Sequence, residues 1–186
     1  LQHGITQNDL SNWLKRYNKD LEGFVVSAKP EYKSIVNGAY DYPESVIWLT
    51  GFPRYDALYN DTKRIITIIP TWRAYLFGIP NQETSIRPLK AGFEKSTYFL
   101  FYQALFSNER LLETAKKFGY KIRYMPHPDF RPYADKFVTE NEVEIWPKET
   151  PYHEIYANSA FLVTDYSSAV FDFSYLKKPV LYTQFD

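Results

Sequence analysis

The sequence contains no cysteine among its 186 residues, which excludes disulfide bonds, thiolate metal sites and a cysteine nucleophile. It also lacks any run approaching the roughly 20 apolar residues of a membrane-spanning helix. Neither sign of charge is in excess, since 22 lysines and arginines balance 22 aspartates and glutamates. This balance argues against the broad positive field of a nucleic-acid-binding protein.

Glycine-rich phosphate loops are absent as well. Neither G-x-x-x-x-G-K-[ST] nor G-x-G-x-x-G occurs, so a P-loop nucleoside triphosphatase and a standard dinucleotide-binding fold are not indicated. Leu1 is preceded by no initiator methionine and followed by no apolar signal segment, and we interpret the chain as a piece of a longer protein.

Strand and helix patterns alternate along the chain. The predicted strands are 24–28, 46–50, 65–69, 120–125, 143–146, 161–164 and 180–183; the predicted helices are 8–17, 30–36, 98–105, 108–118, and two that start at Thr150-Pro151 and after Ser168. This alternation predicts an α/β fold with a doubly wound, mostly parallel sheet. A polar, turn-rich segment at 60–64 suggests a domain boundary, and residues 74–95 form a long excursion without clear periodicity.

Polar clusters directly follow four of the predicted strands. They are His3, at the end of a predicted strand tail before Gly4, residues 71–73, His127 and residues 165–168. In parallel α/β sheets ligands bind outside the carboxyl ends of the strands, so we expect these clusters to line one rim.

The segment 161–176 is the most informative of these. A buried strand runs into Asp165, Ser167 and Ser168, and a helix then begins with Ala169 and Phe173 on its apolar face. Backbone N–H groups and hydroxyls at a helix start suit a phosphate group. The alternative is that Asp165 or Ser167 only caps the helix. Ser167 lacks the flanking glycines of a nucleophile elbow, which argues against a hydrolase triad.

Two of the three histidines are candidate proton carriers. His3 precedes a glycine and His127 lies between two prolines, whereas His153 falls within a predicted helix and is interpreted as structural. No closely spaced second ligand accompanies His3 or His127, so no metal site is predicted. Arg73 is a candidate phosphate ligand, with a surface salt bridge as the alternative.

Five short motifs in order resemble the CDP-glycerol glycerophosphotransferase family of teichoic acid polymerases and primases. They are His3-Gly4, Thr50-Gly51-Phe52-Pro53-Arg54-Tyr55-Asp56, Pro70-Thr71-Trp72-Arg73, His127-Pro128 and Thr164-Asp165-Tyr166-Ser167-Ser168. The resemblance implies a GT-B fold of two Rossmann-like domains. Residues 1–60 would then be the end of the first, acceptor-side domain, and 61–186 most of the second, nucleotide-donor-binding domain.

The resemblance also implies an activity. Glycerol phosphate, or a similar polyol phosphate, would pass from CDP-glycerol to a hydroxyl of a teichoic acid or capsular acceptor, with release of CMP and without a cofactor. His3 and His127 map onto the catalytic histidines of the family. The donor-binding residues would be Thr71, Arg73, Thr164, Asp165, Ser167 and Ser168.

Two alternatives remain at this point: a GT-B glycosyltransferase that uses a CMP- or UDP-sugar, and a non-catalytic nucleotide or polyanion-binding module. The expected location is cytoplasmic, and peripheral contact with the inner face of the plasma membrane is open because the acceptor can be lipid-linked. The excursion, with Trp72, Arg73, Tyr75, Phe77 and Arg87, is a candidate for that contact, although an ordinary packed loop is favoured.

Overall fold

The computed structural model describes residues 8–137 and 142–186. This part of the chain divides into two compact units, the first ending at Leu58 and the second spanning Tyr59–Asp186. The predicted strand tail before Gly4 lies outside the described residues. None of the helices in the described ranges has the length and apolar character needed to cross a membrane.

The first unit is built on a βαβ arrangement. Strands β1 (Phe24–Val26) and β2 (Ile47–Leu49) pair in parallel, and helix α2 (Lys29–Asn37) connects them, with a proline in its first turn. Helix α1 (Ser11–Leu14) is much shorter than the predicted 8–17. The prediction was wrong there because Lys15 adopts an extended conformation and the N–H of Arg16 bonds the carbonyl of Tyr40 instead of a helical carbonyl.

The second unit contains a five-stranded parallel sheet, which confirms the predicted α/β class. Its strands are β3 (Ile65–Ile69), β4 (Lys121–Tyr124), β5 (Val143–Ile145), β6 (Phe161–Thr164) and β7 (Val180–Tyr182). They lie in the order β5-β4-β3-β6-β7, and every pair is parallel. From β3 the chain adds β4 and β5 on one side of the sheet, and then adds β6 and β7 on the other side of β3. This is the Rossmann-like arrangement, with its switch point between β3 and β6.

Four helices accompany this sheet: α3 (Thr97–Phe106), α4 (Glu109–Lys117), α5 (Tyr152–Asn158) and α6 (Ala169–Tyr175). Gly119, at φ 71°, ends α4 as predicted. The N–H of Gly119 donates to the carbonyl of Lys116, and the N–H of Tyr120 donates to the carbonyl of Ala115. The predicted start of α5 was off by one residue, because Pro151 and not Thr150 occupies the N-cap position and no side chain caps this helix.

The excursion is a packed loop. Short 3₁₀ turns at Ala74–Leu76 and Phe93–Lys95 bracket an antiparallel bridge between Phe77 and Leu89. Phe77 and Phe93 are 4% and 5% exposed and join the main aromatic core. The excursion is therefore anchored by its own aromatic residues, as the packed-loop interpretation expects.

A chain of buried hydrogen bonds fixes β3 against the elements beside it. The Trp146 indole N–H donates to Thr67 Oγ1 at 3.2 Å. Thr67 Oγ1 and Ser159 Oγ are hydrogen-bonded to each other at 2.6 Å. Ser159 Oγ in turn donates to the Ile155 carbonyl at 2.6 Å. One direction satisfies every donor: indole to Thr67, Thr67 to Ser159, and Ser159 to α5. This satisfied network stabilises the centre of the sheet whose carboxyl edge carries the site.

Candidate functional site

Three loops meet at the carboxyl edge of the second unit's sheet. They follow β3 (residues 70–73), β4 (residues 125–127) and β6 (residues 165–168). Because β3 and β6 are neighbours at the switch point, their loops flank the crevice in which α/β sheets of this order bind ligands. The rim expected from the sequence therefore forms for three of its four clusters.

Asp165 joins the β6 loop to the β3 loop. Its side chain is fully buried, and its Oδ1 accepts the backbone N–H groups of Thr71 (2.8 Å) and Tyr166 (2.7 Å). Its Oδ2 accepts the Tyr102 hydroxyl (3.2 Å) and faces Arg73 Nη2 at 3.0 Å. Burial and the neighbouring carboxylate raise the pKa of Tyr102, so its hydroxyl remains a donor. With both oxygens engaged, Asp165 fixes the loops and presents no accessible oxygen to a ligand.

Arg73 is held in an ion pair on two sides. Its Nε and Nη2 reach both carboxylate oxygens of Asp186 at 3.0 and 2.9 Å, and its Nη1 donates to the Thr71 carbonyl at 3.0 Å. Together with the contact to Asp165, four of its five N–H groups are used. Burial lowers the pKa of Arg73, but the hydrogen bonds and charges of Asp186 and Asp165 outweigh it and raise that pKa further above its usual range. The guanidinium thus makes the salt bridge that the alternative describes, and its contact with a donor stays a prediction.

The two threonines predicted to bind the donor have shielded hydroxyls. Thr164 Oγ1 donates to the Ile69 carbonyl at 2.6 Å, which ties β6 to β3. Thr71 Oγ1 is buried and has no partner among the described residues. Thr71 instead contributes its backbone, whose N–H binds Asp165 and whose carbonyl binds Arg73.

Ser167 and Ser168 occupy the start of α6, as predicted. Ser167 is half-buried and its Oγ accepts the N–H of Ala169 at 3.2 Å, whereas Ser168 is exposed and makes no capping bond through its side chain. Within the described residues, no hydrogen bond engages the backbone N–H of either serine. The loop therefore presents two backbone donors and one exposed hydroxyl at the switch point.

His127 lies across β3 from this loop, at the end of β4. Its Nδ1 accepts the backbone N–H of Asp129 at 3.3 Å, so the neutral ring carries its proton on Nε2. The imidazole stacks on Trp72 with ring centroids 5.8 Å apart and planes 24° apart. Burial lowers the pKa of His127, and the Asp129 carboxylate, 3.8 Å from Nδ1, opposes that shift.

His3 lies outside the described residues, so its place relative to this edge stays a prediction. Across the described residues no group of three or more ligating side chains could hold a metal ion. The sequence placed Trp72 at this edge without giving it a role, and it did not indicate Tyr102 and Asp186 as parts of the edge. Trp72 lies within a motif already identified, whereas Tyr102 and Asp186 are far from it in sequence and carry no signal of their own.

Comparison with known proteins adds the family. A family model described as CDP-Glycerol:Poly(glycerophosphate) glycerophosphotransferase matches residues 2–186. The minor teichoic acid biosynthesis protein GgaB of Bacillus subtilis (strain 168) is 44% identical over 187 residues, which cover 100% of this chain and 21% of that protein. The teichoic acid glycerol-phosphate transferase of Staphylococcus aureus (strain NCTC 8325 / PS 47) is 26% identical over 88% of this chain and 41% of its own length.

Solved structures support the fold. The wall teichoic acid polymerase TagF aligns over 97% of this chain and 47% of its own, with a TM-score of 0.60 and 19% identity. Its H548A variant aligns over 97% and 48% with a TM-score of 0.63. The chain spans less than half the length of these relatives, from 21% to 48%.

Proposed function

The chain belongs to the CDP-Glycerol:Poly(glycerophosphate) glycerophosphotransferase family, and from this premise we propose that the intact protein transfers glycerol phosphate, or a similar polyol phosphate, from CDP-glycerol to a hydroxyl of a teichoic acid or capsular acceptor. The observation that carries the proposal is the carboxyl edge at the β3/β6 switch point. There, Ser167 and Ser168 offer backbone N–H groups that no other described residue engages, and His127 lies at the end of β4, the other neighbour of β3.

The donor diphosphate would lie against the Ser167-Ser168 loop. Backbone N–H groups bind phosphate oxygens without sequence-specific side chains, and the half-exposed His127 can add its Nε2–H. Asp165, Arg73, Thr71 and Thr164 then act by positioning these loops, since their polar side-chain atoms are engaged or buried. The arginine charge still contributes a positive potential near the crevice.

The proton chemistry would be divided between two histidines. His3 would take the proton from the acceptor hydroxyl, whose oxygen attacks the β-phosphorus of CDP-glycerol as the bond to the CMP oxygen breaks. His127 would stabilise the negative charge that develops on the departing CMP phosphate. A bound diphosphate beside the imidazole favours the imidazolium, so donor binding should raise the pKa of His127, which burial holds low in the ligand-free chain.

Substitution of the histidines tests this assignment in the intact protein. His127→Ala and His3→Ala should each reduce transfer from CDP-glycerol by about 10²-fold or more, the lower bound for a proton-transfer residue such as His3 and for a charge-stabilising donor such as His127. His153→Ala is the matched control, because His153 is a half-buried α5 residue beside the Tyr59 ring, and its rate should stay near wild type. Activity of His127→Ala within tenfold of wild type would contradict the role.

The alternatives predict different results in the same preparation. A glycosyltransferase would bind CMP- or UDP-sugars more tightly than CDP-glycerol in calorimetry. A non-catalytic module would bind a nucleotide with no turnover that depends on His3. Under our proposal CDP-glycerol binds most tightly, and both histidines are needed for turnover.

We assign the donor to the second unit, which has the Rossmann-like strand order, and we take the first unit as the end of the acceptor-side domain. A nucleotide-activated donor is supplied from the cytoplasm, so the site would work on that side of the membrane.

Contact with an anionic membrane would be made by the amino edge of the second unit's sheet. Six cationic side chains line two adjoining hollows there, and we call them the basic patch: Lys63, Arg64, Lys116, Lys117, Lys121 and Arg123. Arg64, Lys116 and Lys117 line the same hollow as the exposed ring of Phe118. Three carboxylates share this surface, those of Asp61, Glu142 and Glu144. The helix dipole explains why Lys116 and Lys117 lie in the last turn of α4. It does not explain why the Phe118 ring beside them is 58% exposed, whereas contact with an anionic membrane does. The excursion, which was only a candidate for this contact, is unsuited because Phe77 is buried and Arg73 is engaged in ion pairs.

Vesicle flotation tests the basic patch. The chain should float with vesicles of about 30% phosphatidylglycerol in phosphatidylcholine, whose surface charge is roughly physiological. It should not float with vesicles of phosphatidylcholine alone. Lys116→Glu combined with Lys117→Glu should abolish flotation, and Lys29→Glu with Lys33→Glu, on the exposed face of α2, should not. Equal flotation of both double variants would exclude this surface.

A further inference from the structure

We infer that Trp72 is the positioning residue for His127, and that the excursion after β3 exists in part to hold this tryptophan in place. The inference rests on the proposed function for the role of His127 in transfer. The contacts that carry it are independent of any substrate.

A column of aromatic rings runs from the core to His127. Phe130, which is fully buried, meets Phe77 edge-on at 4.7 Å, and Phe77 stacks on Trp72 at 6.0 Å and 29°. Trp72 in turn stacks on His127 at 5.8 Å and 24°. The outermost ring of the column is therefore the imidazole, and its plane is set by rings that the core immobilises.

The excursion supplies the parts of this column that the sheet cannot. Phe77 and Arg87 are both residues of the excursion. The guanidinium carbon of Arg87 lies 5.8 Å from the centroid of the Trp72 ring. The Tyr133 hydroxyl fixes Arg87 by bonding its carbonyl at 2.9 Å. Arg87 Nε also lies 3.9 Å from Asp129 Oδ2, the same oxygen that is 3.8 Å from His127 Nδ1.

The charged groups facing the imidazole are thus Asp129 and, beyond it, Arg87. The hydrogen bond from the Asp129 backbone fixes the tautomer, whereas Trp72 fixes the ring plane and shields one face from water. A proton-donating ring needs its orientation held within about 10–20°, and a single long hydrogen bond of 3.3 Å at Nδ1 constrains that orientation only weakly. Trp72 removes this freedom.

The Trp72 indole N–H has no partner among the described residues, so it does not explain why this ring is present. A flat apolar face is the property in use. Phenylalanine should therefore replace Trp72 well, and leucine, which has similar apolar character but no flat face, should not.

Nuclear magnetic resonance of the histidine ring nitrogens in the 186-residue chain tests the inference without an activity assay. In wild type the pKa of His127 should lie below its ordinary value with the neutral ring protonated on Nε2. Trp72→Ala and Trp72→Leu should move that pKa upward, because one face of the ring becomes hydrated. They should also mix the two tautomers, because a ring that is free to turn loses the Asp129 hydrogen bond that selects one of them. Trp72→Phe should stay close to wild type, as should Tyr75→Ala, which removes an exposed aromatic ring from the same loop.

Unchanged His127 pKa and tautomer in both Trp72→Ala and Trp72→Leu would overturn the inference, and amide spectra of the other residues check that each variant is folded. In the intact protein, Trp72→Leu should lower kcat by about 10–100-fold with little change in KM. Trp72→Phe should have a kcat close to that of wild type. If CDP-glycerol proves not to be the donor, the kinetic arm fails but the titration still decides the positioning role.

Discussion

At the residue scale, Asp165 and Arg73 are engaged by other groups of the protein, and their contact with the donor stays a prediction. Both were expected to contact the donor, and both were placed correctly at strand ends. The structure engages their polar atoms with one another, with Asp186 and with the β3 loop. The sequence could locate them but could not supply their partners, because the Asp165 bonds reach residues 94 and 63 positions away.

Because both oxygens of the buried Asp165 carboxylate are engaged, a single substitution there should greatly lower the free energy of unfolding. Asp165→Asn keeps the shape of the side chain but removes the charge facing Arg73 and one acceptor oxygen, so the free energy of unfolding should fall by about 3–5 kcal/mol. Urea denaturation of the 186-residue chain measures it. Glu94→Gln is the control, since its ion pair with Lys136 is exposed on both sides and should contribute less than about 1 kcal/mol. Equal losses in the two variants would show that Asp165 does not hold the loops.

At the element scale, the elements that are strongly patterned in sequence were predicted closely. The β-branched run at Ile65–Ile69 is the central strand, and Gly119 and the proline in α2 mark the boundaries expected of them. One misplacement occurred where a distant group decided the local conformation, and the other was a shift of one residue at a helix start. Tyr40 ends α1 by taking the Arg16 N–H, and Pro151 starts α5 without a side-chain cap.

The C-terminal end of α5 depends on another distant group. Lys178 Nζ donates to the carbonyls of Tyr156, Ala157 and Ser159 at 2.7, 2.7 and 2.9 Å. Nothing in the α5 sequence announces this cap, because the lysine arrives from beyond α6.

Loss of that cap should destabilise the unit. Lys178→Met keeps the aliphatic stem but leaves three partly buried carbonyls without their donor, and we expect a loss of about 2 kcal/mol in the free energy of unfolding. Lys177→Met is the matched control, being the exposed neighbour of the same chemistry, and should change stability by less than about 0.5 kcal/mol. Thermal or urea unfolding compares them, and equal stability of both variants would rule out the capping role.

At the scale of the whole molecule, the strand order explains why loops from distant parts of the sequence form one site. The alternating pattern predicts a parallel sheet, but it does not specify which strands are neighbours. The order β5-β4-β3-β6-β7 puts the Ser167-Ser168 loop beside residues 70–73 and places His127 on the other side of β3. His3, whose role stays a prediction, lies outside the described residues.

The central claim is that CDP-glycerol binds the carboxyl edge of this sheet through the Ser167-Ser168 loop and His127. Amide and histidine-ring resonances of the 186-residue chain, followed as CDP-glycerol is added, test it most directly. The account predicts saturable shifts centred on Ser167, Ser168 and His127, an upward shift in the His127 pKa, and no comparable change around Gly119 at the opposite edge. Shifts confined to other residues, or no saturable shift at these three, would contradict it.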